Sequence, residues 1–158
     1  MTKRSRTEVL GEISNLIRAS QVASDKFDDV AAEVLGINRT DHRVLDVLDR
    51  LGPIPAGDLA KEAGLSPAAM TASIDRLEEA GIAHRIRDSS DRRRVLVEVD
   101  AGTRKRAMKI YGPLEQAFLK QTEHYSTGQL EVIRDFLERG QVISDEHLER
   151  VRRMRRPR

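Results

Sequence analysis

Apolar residues recur at helical spacing from the N-terminus onward. Val9, Ile13, Leu16, Ile17, Val22, Ala23, Phe27, Val30, Val34 and Leu35 trace one face over residues 7–35, which predicts one long helix punctuated by Gly36 and Asn38. A second helix is expected with Thr40 as its cap, Val44, Leu45, Val47, Leu48 and Leu51 facing inward, and Gly52 and Pro53 at its end. Ile54 lies between two prolines, which confines it to an edge strand. Leu59, Ala60, Ala63 and Leu65 then mark one side of a short helix and the turn after it. Gly64 breaks that helix, while Ser66 and Pro67 supply a cap oxygen and a preset dihedral for the next. On this fourth helix Met70, Ile74 and Leu77 form a buried stripe; Ser66, Pro67, Ala68, Ala69, Thr71, Ala72 and Arg76 are left for the remaining surface.

The period changes after Gly81. Ile82, His84 and Ile86 alternate with Ala83, Arg85 and Arg87, and Val95, Val97 and Val99 alternate with Leu96 and Glu98, predicting two half-buried strands. Asp88, Ser89, Ser90 and Asp91 suit the turn between them, and Arg92, Arg93 and Arg94 follow at once. From His84 to Arg94 five arginines face two aspartates. A helix pair with a glycine turn is as often plain packing as a DNA reader, and a basic turn alone is usually a solvated face. Set side by side, they read as a winged helix-turn-helix. The small, polar outer face of the fourth helix can sink into a major groove, with Arg87, Arg92, Arg93 and Arg94 on the wing beside phosphate or the minor groove.

The C-terminal third is helical again. Ala107, Met108, Tyr111, Leu114, Phe118 and Leu119 place a helix over residues 103–125, bent at Pro113. After Ser126 a further helix carries Leu130, Ile133, Phe136 and Leu137, is expected to break near Gly140, and resumes through Val142, Ile143, Leu148 and Val151. Residues 7–35 and 103–156 thus flank the core at 39–100 within a single domain over 1–158 and bear apolar faces that the core does not need. A second copy of the chain satisfies them, giving a homodimer whose two recognition helices match a palindrome with half-sites about 34 Å apart. The competing arrangement is an intrachain bundle on a monomer.

The stretch GDLAKEAGLSPAAMTASIDRLEEAGIAHRIRDSSDRRRVLVEVD resembles the winged-helix core of the MarR (multiple antibiotic resistance regulator) family, most specifically at DRRRVLVEV. The resemblance implies a fold mainly α with a small β-wing and flanking dimerisation helices, Arg93 as the minor-groove arginine, and Asp91 as its acidic support. It further implies a homodimeric repressor released from its operator by a small aromatic or anionic effector, bound between dimer helices and winged domain. His42, Met108 and Tyr111 lie on helices suited to line that junction, although each is also ordinary packing material. Ala72 departs from the family pattern, where an arginine often follows the threonine, as do Ser89 and Asp100.

Composition narrows the alternatives. Of the 158 residues 39% are hydrophobic and 34% charged, the balance of a helix-rich globular regulator. No apolar run reaches membrane-spanning length and the N-terminus lacks a signal-like core, so no membrane partner is expected and the cytoplasm is. The chain has no cysteine, phosphate loop, nucleophile elbow or HExxH motif, and its four histidines are scattered, so neither catalysis, a cofactor nor a metal is expected. The last nine residues hold six arginines and no acid, leaving the rest at net −4 against +2 overall. That tail keeps open a non-specific architectural DNA protein, and Ala72 a winged helix turned to protein partners.

Overall fold

Several helix ends of the computed structural model, which describes residues 4–154, are set by local chemical signals. Helix α1 (Arg6–Leu35) opens on a reciprocal cap: Ser5 Oγ accepts from the Glu8 N–H at 3.2 Å and the Ser5 N–H donates to Glu8 at 2.7 Å. It closes at Gly36, whose φ of 76° is left-handed. Helix α2 (Arg39–Leu51) is capped by Asn38, not by Thr40 as expected, because the Asn38 side-chain oxygen reaches the Asp41 N–H at 2.9 Å. A two-residue strand β1 (Ile54–Pro55), helix α3 (Ala56–Glu62) and helix α4 (Pro67–Glu79) follow. The α3–α4 turn is the one the sequence dictates, with Gly64 left-handed and Ser66 Oγ accepting from the Ala69 N–H at 3.2 Å.

Strands β2 (Ala83–Arg87) and β3 (Val95–Val99) complete an antiparallel sheet in the order β1-β3-β2. Arg85 lies opposite Val97 in one pair, and Ile54 opposite the same Val97 in the other. The expected inward row of Ile82, His84 and Ile86 is corrected: Ile82 and Ala83 are both buried and His84 is exposed. The reason lies in the turn, where left-handed Gly81 lets the Ile82 N–H bond back to Leu77 O at 2.8 Å, so Ile82 belongs to the helix end and the strand starts one residue later.

Leu48, Leu59, Met70, Ile74, Leu77, Ile82 and Val97 are the centre of the core under α2, α3, α4 and the sheet. The chain divides into two compact units, the first ending at Ile110 and holding all of these elements, the second beginning at Tyr111. Helix α5 (Ala101–Thr122) starts two residues before the expected position because the Asp100 carboxylate caps it, accepting from the N–H groups of Gly102 and Thr103 at 2.7 and 3.1 Å. It also stops short of residue 125, and it runs through Pro113 unbroken.

Helix α6 (Thr127–Met154) is continuous, so the expected break at Gly140 is absent. One glycine costs a helix interior about 1 kcal/mol. On the turns just before Gly140, ion pairs of Arg134 with Glu131 and Glu138, and of Arg139 with Asp135, bind neighbouring turns together and offset part of that cost. No residue of α6 is buried, and Phe118 on α5 with Ile133, Phe136, Leu137, Ile143 and Leu148 on α6 are all exposed. Residues 155–158 of the basic tail lie outside the described residues.

Candidate nucleic-acid interface

The outer surface of α4 is small and open. Ser66, Pro67, Ala68, Ala69, Thr71 and Ala72 are exposed, while Met70, Ser73, Ile74 and Leu77 are buried. Thr71 Oγ1 donates to Pro67 O at 3.0 Å, which uses the hydroxyl proton and leaves its oxygen free to accept from a base edge. Arg76, placed by the sequence on the same surface, is exposed too and is bonded to Asp41. Its Nε and Nη2 donate to the two oxygens of that carboxylate at 2.9 and 2.6 Å.

The wing loop is built by its two aspartates. Asp88 Oδ1 accepts from the Ser90 N–H at 2.8 Å and from Ser90 Oγ at 2.7 Å, and these bonds hold its carboxyl below the usual range. Asp91 Oδ1 accepts from the Arg93 N–H at 3.0 Å, so it supports the wing arginine through its backbone and leaves the guanidinium to solvent. Backbone bonds from Asp88 N–H to Arg94 O and from Arg94 N–H to Asp91 O close the loop. Arg94 stands 3.9 Å from Asp88. Arg87, Arg92 and Arg93 are exposed and hold no ion pair among the described residues, which leaves three cations for phosphates.

Two groups escaped the sequence reading. Arg85, on β2, ties the wing to the recognition helix: its guanidinium pairs with Asp75 at 2.8 Å and with Glu78, whose other oxygen accepts from the Arg85 N–H at 2.8 Å. Asp41 is 2% exposed and accepts from Arg76, Ser73 and Asn38. The signal for it was present, since Asp41 shares the inward stripe of α2 with Val44, Leu45 and Leu48, where an acid needs a partner.

Burial alone would raise the Asp41 carboxyl, but the hydrogen bonds from Arg76 and Ser73, the Arg76 charge and the Asn38 bond outweigh it and hold it low. A carboxylate depressed in the folded state stabilises above the unfolded value of about 4 and stops doing so as pH falls through the lower folded value. Asp41→Asn should therefore be less stable than wild type near neutrality, with the gap closing as urea unfolding is repeated from about pH 6 to about pH 3. A gap independent of pH would show that the charge is not what matters.

Two of the candidate effector residues, His42 and Met108, belong to the first unit. His42 is buried beside a polar concavity of about 350 Å³ lined also by Asp25, Asp28, Arg39, Arg43 and Asp46. Met108 is 64% exposed and does not line it. Tyr111 is half-buried at the start of the second unit. Among the described residues no group of three or more His, Asp or Glu side chains is placed to hold a metal.

The family model described as MarR family matches residues 37–95, from just beyond α1 to the first residue of β3. Over 151 residues, 96% of this chain and 98% of the relative, the sequence is 34% identical to the uncharacterized HTH-type transcriptional regulator YcgE of Bacillus subtilis (strain 168). The chain belongs to the MarR family.

Solved structures share the fold. NadR in complex with 4-hydroxyphenylacetate aligns with a TM-score of 0.58 at 22% identity, over 88% of this chain and 94% of that one. An S. aureus MepR variant bound to an oligodeoxyribonucleotide aligns at 0.54 and 17%, over 82% and 96%. The protein is thus a DNA-binding transcriptional regulator of the MarR family, a family of regulators rather than enzymes. Among its described residues no helix is long and apolar enough to cross a membrane. For this MarR protein Arg93→Ala should weaken binding to every duplex and lower the log–log salt slope by about one. Titrations at several salt concentrations check it, and an unchanged slope would remove Arg93 from the phosphate contacts.

Proposed function

We propose that the chain is a homodimeric repressor that binds a palindromic operator in the cytoplasm and lets go when a small aromatic or anionic effector binds. The observation that carries this reading is one chain bearing two unlike surfaces. One is the recognition helix and cationic wing. The other is a set of exposed apolar faces: Leu16, Val22, Val30 and Val34 on α1, and the α5 and α6 residues named above. Soluble monomers rarely leave so many large apolar side chains on their helices to water, and a second copy both covers them and doubles the base pairs read. Thr71 and the small residues around it would contact bases, and Arg87, Arg92 and Arg93 phosphates or the minor groove.

The effector half of the proposal is supported by the likeness to NadR, solved with an aromatic acid. In the concavity at His42 the one arginine with no ion pair among the described residues is Arg43, since Arg39 already pairs with Asp25 and Asp29. An anionic group would therefore go to Arg43.

Selection of bound sequences from a random duplex pool at physiological salt tests the first half. One palindrome with half-sites about a helical turn apart is the expected result. Binding without any enriched sequence would favour the architectural reading, for which the arginine-rich end of α6 and the residues beyond it speak.

A further inference from the structure

One buried charge fastens the recognition helix to the rest of the winged unit. The Asp41 side chain, 3% exposed, lies in the first turn of α2 and accepts from Asn38 Nδ2 at 2.6 Å, Ser73 Oγ at 2.5 Å, and Arg76 Nε and Nη2 at 2.9 and 2.6 Å. Ser73 and Arg76 stand one turn apart on α4, so two points of that helix converge on a single carboxylate. A planar guanidinium held by two nitrogens fixes rotation as well as distance. The apolar stripe of Met70, Ile74 and Leu77 cannot do the same, because hydrophobic burial is non-directional and tolerates a small roll of the helix. A roll would carry Thr71 and the exposed alanines away from the base edges they face.

We propose that Asp41 and Arg76 are positioning residues for sequence readout: their ion pair sets the roll of α4, and Arg76 serves DNA binding through Asp41 instead of touching phosphate. The Arg76 charge is already compensated at 2.6 Å, whereas Arg92 and Arg93 on the wing are not engaged in ion pairs among the described residues and are the cations left for the backbone of DNA. The inference rests on the sequence-specific reading above and adds the groups that make it specific.

A double-mutant cycle on the full-length chain tests it, with the duplex enriched in the selection and a scrambled duplex of equal length as probes. Asp41→Asn and Arg76→Gln are each expected to lower the ratio of the two affinities by about tenfold or more, with the double variant no worse than either single one. The salt slope on the scrambled duplex should stay at the wild-type value in all three. If Arg76→Gln instead lowers that slope by about one while Asp41→Asn changes nothing, Arg76 is a direct phosphate contact and the proposal falls.

Should circular dichroism show Asp41→Asn to be unfolded, Arg76→Lys replaces it in the comparison. Lysine keeps the charge and loses the fork, so it should behave like Arg76→Gln if positioning is the role, and like wild type if phosphate contact is. A high wild-type ratio retained by every variant would overturn this inference alone. A wild-type ratio near one would overturn the proposed function and this inference with it.

Discussion

Leu137→Glu should leave a folded chain that sediments as a monomer at micromolar concentration and binds its operator about a thousandfold or more weakly. The side chain is 59% exposed in the single chain, so the substitution opens no cavity and breaks no hydrogen bond there. Ile133, one turn before it, and the adjacent Phe136 are likewise exposed, and all three lie on a helix in which nothing is buried. If that face meets its counterpart in a second copy, a carboxylate on it is buried twice across the twofold axis, each without a cation, and the interface is lost. Circular dichroism would show helix content retained, sedimentation would report the association, and duplex titration the affinity. A variant that still sediments as a dimer would move the interface elsewhere, and one that is monomeric yet binds as tightly as wild type would end the palindrome argument.

The same exposure separates what the sequence could say from what it could not. Helix α4 was legible residue by residue, because Gly64, Ser66 and Pro67 act through bonds no more than five residues long, and local chemistry of that kind survives into the fold. Asn38 and Thr40 are both good caps two positions apart, and the choice fell to Asn38 because left-handed Gly36 ends α1 just before it. Gly140 misled for the opposite reason: its neighbours' ion pairs sit on the helix surface, where single residues carry little signal about continuity. Helical phase put Arg76 at the surface but could not show its bond to Asp41, a contact 35 residues away in sequence. The wing was legible as a charge pattern, yet the division between arginines that build it and those left to solvent came only with Asp75, Glu78 and Asp88 in place.

Ile74→Ala should cost about 2–5 kcal/mol of folding stability, the range for large-to-small changes at a well-packed site. Ile74 is wholly buried, at the midpoint of the α4 stripe, with Met70 and Leu77 one turn to either side at 1% exposure each. The surrounding groups have little freedom to collapse into the space. Ser73 beside it is fixed to Asp41, Arg76 is fixed to the same carboxylate, and Arg85 fixes the outer side of the helix to β2 through Asp75 and Glu78. A helix held ionically on both flanks cannot settle inward without stretching those bonds, so the cavity persists and the cost belongs in the upper part of that range. Against a total of about 5–15 kcal/mol for a domain of this size, the loss brings the unfolding transition close to working temperature. Urea unfolding of the full-length variant measures it. A cost below about 1 kcal/mol would mean that the flanking ion pairs yield readily, and would count against their holding α4 in one orientation for reading DNA.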